Sequence, residues 1–127
     1  VPYAFTATPL DSYKVDGIHY TVFQITETDV EATSEWSFPV PSLGRVTLFE
    51  SAITDGGSAS TIDPQMSTAA GIYDSVGALP ENDTPAAAIY NDESTAYYAA
   101  GATLYGRSQP DATANEIVTR VTVARGH

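Results

Sequence analysis

Alternation of apolar and polar positions with a period of two runs through most of this chain and predicts strands throughout. From Ile18 to Thr28 the run Ile-His-Tyr-Thr-Val-Phe-Gln-Ile-Thr-Glu-Thr is dense in β-branched and aromatic residues. It sets Ile18, Tyr20 and Val22 on one face and His19, Thr21, Phe23 and Ile25 on the other. Apolar residues on both faces imply a strand partly covered on each side. Trp36, Phe38 and Val40 alternate with Glu35, Ser37 and Pro39. Pro39 and Pro41 cannot donate to a ladder, so this strand is short, lies at an edge, or ends there. Arg45 to Ile53 reads as another strand, closed by the Asp55-Gly56-Gly57-Ser58 turn.

Ser60 to Asp63 resumes extension until Pro64. The stretch 65–74 is ambiguous, and one helical turn from Met66 is an alternative to strand. Gly77 to Asp83 is loop by composition, and Ala86 to Tyr90 is an apolar run fitting a short strand or one or two helical turns. Thr95 to Tyr105 reads as one strand in which Gly101 marks a bulge or a close backbone approach. After the Ser108-Gln109-Pro110-Asp111 turn, Glu116 to Ala124 is the last strand. Six to eight short strands and no long helix predict an all-β fold, an antiparallel β-sandwich or a jelly-roll-like arrangement. Residues 1–12 are read as an extended N-terminal arm and 125–127 as a frayed tail of the single domain 1–127.

Composition changes this picture in several ways. At 127 residues the chain suits one domain. Sixteen acidic side chains against five basic ones give a formal charge of −11, which opposes binding to nucleic acid and to anionic membranes. Three of the five cations, Arg107, Arg120 and Arg125, lie near the C-terminus beside only Asp111 and Glu116. That makes the last strand the expected docking surface for an acidic partner. There is no cysteine, hence no disulfide and no thiolate chemistry. No apolar run approaches a membrane span, and Val1-Pro2-Tyr3 does not open a signal peptide, so synthesis in the cytoplasm is expected.

Candidate chemistry is sparse. His19 and His127 are the two imidazoles, and no serine sits in a nucleophile elbow. The pairs Asp92-Glu93 and Asp29 with Glu31 read as solvated loop acids rather than a glycosidase pair. Glu81-Asn82-Asp83 beside Asp92-Glu93 is the best oxygen-rich stretch for a cation, yet neither matches a calcium loop. The expectation is therefore no catalytic residue, no metal and no cofactor. Tyrosine is abundant, with eight residues, and Tyr joins an apolar ring to a hydrogen-bonding tip that suits interfaces. The expected contact residues are Tyr97, Tyr98, Tyr105, Arg107, Arg120 and Arg125.

Four stretches together resemble small virion proteins of tailed bacteriophages: Ile25 to Val30 leading to Ser34-Glu35-Trp36, Pro41 to Phe49, Thr54 to Pro64, and Thr103 to Pro110 with the final strand. The resemblance implies a capsid decoration, or cement, protein on the outer surface of the particle, assembled in the host cytoplasm. It implies a homo-oligomer, a trimer above others, that clamps the major capsid protein. A tail or head-fibre module binding host-surface carbohydrate is the alternative.

Overall fold

The computed structural model describes residues 2–40, 44–67, 84–85, 89–92, 97–98 and 101–125. Among them are eleven strands: β1 (Ala4–Val15), β2 (Ile18–Val30), β3 (Trp36–Pro39), β4 (Gly44–Asp55), β5 (Thr61–Ile62), β6 (Gln65–Ser67), β7 (Thr84–Pro85), β8 (Ile89–Asp92), β9 (Tyr97–Tyr98), β10 (Thr103–Arg107) and β11 (Ala114–Arg125). The fold is all-β and every ladder is antiparallel. One sheet has the order β1-β2-β11-β4-β8, with β9 also on β4; a second has the order β3-β10-β6; β5 and β7 form a third pair.

The first two sheets pack face to face as a sandwich. Phe23, Ile25, Phe49, Val121 and Val123 from the larger meet Trp36, Phe38, Met66 and Leu104 from the smaller. Aromatic contacts knit the two, with Phe23 stacked on Phe38 at 4.6 Å and Trp36 edge-on to Phe49 at 6.4 Å. Burying such rings is worth roughly 1.5–3 kcal/mol each. In the smaller sheet Trp36, Gly106 and Met66 share one register row. The indole of Trp36 lies against Gly106, where any Cβ would overlap it. A second cluster of Val30, Ile53, Ala59, Ile62, Ala114 and Ile117 closes one end.

Expectation and structure part in several places. Residues 4–12, expected as an arm, are laid down as strand in register with 21–28 of β2. The two strands join through Asp16-Gly17, both at positive φ (50° and 82°), a type I′ hairpin turn whose hand matches strand twist. The expected continuous strand 95–105 is broken: Gly101 at φ 77° turns the chain, leaving β9 on the larger sheet and β10 in the smaller. Pro39 does end β3, an edge strand of its sheet. Gln65–Ser67 is strand rather than the start of a helical turn. The loop expected at 77–83 and the apolar residues 86–88 lie outside the described residues. At Asp29 a positive φ of 53° shifts the alternation by one, so that Glu27 and Val30 are both buried.

Candidate functional site

β1 lies at one edge of the larger sheet, and it is the most open of the strands whose side chains are described. Eleven of its twelve positions are exposed; only Ala7 is partly covered, against the core. Among the described residues the exposed large hydrophobic side chains are Phe5, Leu10, Tyr13 and Val15, between 38% and 50% exposed, and all lie on β1. Leu10 sits at a bulge between Pro9 and Asp11. Beyond it the tip of the hairpin is held by the Tyr13 ring stacked on Tyr20 at 5.2 Å and 14°. A bulge and a proline are devices that blunt an edge against open-ended pairing. They leave two short stretches, before Pro9 and from Asp11 to Val15, where backbone donors and acceptors face solvent.

A second feature ties this edge strand into the molecule. Glu27 is fully buried on the core face of β2, and no cation is among its hydrogen-bond partners. The Tyr3 hydroxyl donates to Oε2 at 2.8 Å and the Ser108 hydroxyl to Oε1 at 2.5 Å. Burial pushes the Glu27 carboxyl up to about 7, against the lowering pull of the Ser108 and Tyr3 hydroxyls. The clasp joins the segment entering β1, the middle of the sheet and the residue following β10. Asp111 makes a comparable clasp at the surface, accepting from Ser60 N (2.7 Å), Ser60 Oγ (2.7 Å) and Thr61 N (3.1 Å). The Ser60 hydroxyl and then the Ser60 and Thr61 amides hold its carboxyl down at about 2.

The six residues expected to make contacts are dispersed. Tyr97 and Tyr98 form β9, in register with Arg45 and Gly44 of β4. Tyr105 and Arg107 are half-buried on β10, alternating with the inward Leu104 and Gly106. Arg120 is exposed on the outer face of the larger sheet, the opposite side of the sandwich, and Arg125 is exposed at the end of β11. Nor can the last strand dock by its edge. β11 pairs with β2 on one side and β4 on the other, so its backbone groups are taken. His19 is a half-buried strand residue in register with Lys14 and Arg125. Asp29 is half-buried within β2 and Glu31 exposed just after it. Among the described residues no group of three or more His, Asp or Glu is placed to hold a metal. The stretch 81–83 and Glu93 lie outside the described residues.

Two features escaped the sequence reading although each had a signal. Asp16-Gly17 between two β runs is a strong short-range hairpin mark, and Glu27 keeps the phase of Phe23 and Ile25, which makes it a charged residue at a core position.

No family model matches the chain, and no curated protein matches it. Among solved structures it is similar to the Schizosaccharomyces pombe Cnp3 cupin domain (TM-score 0.32, 9% identity, 98% of this chain and 61% of that one). It is also similar to the C-terminal CBM6 of LamC from Zobellia galactanivorans (TM-score 0.37, 10% identity, 98% and 100%). A third is Drosophila melanogaster CENP-C bound to CAL1 (TM-score 0.30, 10% identity, 91% and 80%). The chain thus spans less than two-thirds of the Cnp3 chain. Likenesses this distant say nothing of ligand or partner.

Proposed function

We propose that the chain is a structural protein that works by assembly, and that β1 is the edge along which it meets a second copy of itself. The observation that carries this reading is the gathering of Phe5, Leu10, Tyr13 and Val15 on one open edge strand. Exposed strand edges with apolar side chains are the usual substrate of β-augmentation, in which main-chain bonds supply affinity and side chains supply register. A second copy suits this edge for two reasons. Asp11 and Lys14 balance, so β1 is neutral within a chain of charge −11, and pairing along it sets no net charge of the strand against its twin. The Tyr13–Tyr20 stack also lies beside the open edge, where a partner strand can extend it.

The resemblance to phage decoration proteins supplies the larger setting: an oligomer docked on the major capsid protein at the outer surface of a virion. Antiparallel pairing of β1 with β1 closes a dimer, whereas the trimer implied by the resemblance needs a head-to-tail contact of β1 with another surface. Native mass measurement, alone and after incubation with empty capsids, tests both parts. Wild type is expected as an oligomer that co-sediments with capsids. The double change Leu10→Lys, Val15→Lys is expected to give a monomer with an unchanged far-UV spectrum. A wild-type monomer, or an oligomer indifferent to both lysines, overturns the role of β1; an oligomer with no capsid affinity overturns the virion setting.

A further inference from the structure

The outer face of the larger sheet carries a shallow cleft of about 300 Å³ over β2, β11 and β4. Its lining includes Gln24, Glu50, Ala52, Thr54, Val118 and Arg120. Two register rows build it. Gln24, Arg120 and Glu50 stand side by side in one, and Val118 and Ala52 in the row two residues along. Ala52 has no side chain long enough to fill the space between its larger neighbours, and this makes the depression. The Arg120 Nε–H donates to Gln24 Oε1 at 3.2 Å, which orients the guanidinium and leaves its terminal NH₂ groups available. Thr54 is engaged elsewhere, its hydroxyl donating to Glu116 Oε1 at 2.7 Å.

The chemistry of this lining selects its ligand. Arg120 and Glu50 are adjacent and of opposite sign, so the cleft as a whole is neutral. An anion that reached Arg120 would meet Glu50 and a chain of charge −11; a cation on Glu50 would meet Arg120. What the pair offers is an oriented donor beside an acceptor at the rim of an apolar floor. A molecule with one apolar face and vicinal hydroxyls at its edge matches that arrangement: one hydroxyl accepts from the guanidinium while its neighbour donates to the carboxylate. The volume sits at the lower end of small-molecule sites, room for one ring.

We propose that this cleft binds a single neutral pyranose residue of a glycan, its C–H face on Ala52 and Val118 and its vicinal hydroxyls on Arg120 and Glu50. The site lies on a sheet face and is independent of assembly along the β1 edge. Among the described residues the lining offers no aromatic platform, which sets a weak affinity.

The test is titration of ¹⁵N-labelled protein with methyl glucoside, methyl galactoside and methyl mannoside, each to about 50 mM, because a one-ring site of this kind sits near millimolar Kd. D-glucuronate and D-glucosamine serve as charged comparators. At least one neutral glycoside is expected to give saturable shifts confined to the amides around 24, 50–54 and 118–120. Arg120→Ala should abolish them, and Arg120→Lys and Glu50→Gln should each weaken binding by about tenfold, the loss of one charge-assisted hydrogen bond. Thr6→Ala, outside the cleft lining on β1, should change nothing. Absence of saturable shifts with all three glycosides, tighter binding of either charged sugar, or shifts that survive Arg120→Ala in a protein with an otherwise unchanged spectrum would each overturn the proposal.

Discussion

Replacing Glu27 by glutamine should stabilise the protein, and only above acidic pH. In the folded chain the carboxyl is fully buried and titrates at about 7, against 4.5 for the free group. Between these values the folded state keeps a proton that the unfolded state has released. Stability is therefore greatest below the unfolded value, falls as pH rises through the window, and levels off above about 7. A separation of about two and a half pH units corresponds to about 3 kcal/mol lost by pH 8. The substituted glutamine resembles the protonated acid, with one acceptor and a donor facing the Tyr3 and Ser108 hydroxyls, and it cannot ionise. Its second N–H needs a partner and returns about 1 kcal/mol of the gain. Urea unfolding of E27Q and wild type at pH 5 and pH 8 reads the effect directly. The two should be close at pH 5, and E27Q more stable by about 2–3 kcal/mol at pH 8, a midpoint shift of roughly 1.3–2 M for a slope of about 1.5 kcal/mol/M. Other carboxylates titrate in both proteins and cancel in the comparison. A variant that tracks wild type in parallel across this range, or is less stable at pH 8, refutes the reading of Glu27 as a buried charge without a cation.

Gly106→Ala places a methyl group inside the ring of Trp36 on the neighbouring strand, and the indole must shift into the packed core to admit it. A loss of about 3 kcal/mol or more in urea unfolding, with a change in Trp36 fluorescence, is expected, since overpacking a dense core costs roughly 1–3 kcal/mol even without direct overlap. Asp111→Ala removes the acceptor for the Ser60 and Thr61 amides, so hydrogen exchange at those two amides should accelerate at neutral pH while Ile25 and Val121 keep their protection. In wild type the same clasp is held above the ordinary Asp value and is lost as pH falls from about 4 to its folded value of about 2, where the exchange rates of variant and wild type should converge.

The sequence carried the periodicity and the punctuation. Alternation in 18–28, 36–40, 45–53 and 116–124 marks strands in the structure, because one side of each must meet a core and the other need not. The Asp55-Gly56-Gly57 turn is likewise local, its Gly57 at φ 54°. Alternation assigns a residue to a face, but not a strand to its neighbours. Only the long-range pairing placed β11, the strand expected as a docking surface, in the middle of its sheet and left β1 at an edge. The candidate sites show the same division. Glu27 could be read as a charge in core phase, yet its partners come from 24 and 81 positions away. Gln24, Arg120 and Glu50 become neighbours only through the register of three strands. Local sequence dictates conformation through backbone sterics and side-chain burial over a few residues; what stands beside what is settled by which ladders close, and that depends on the whole chain.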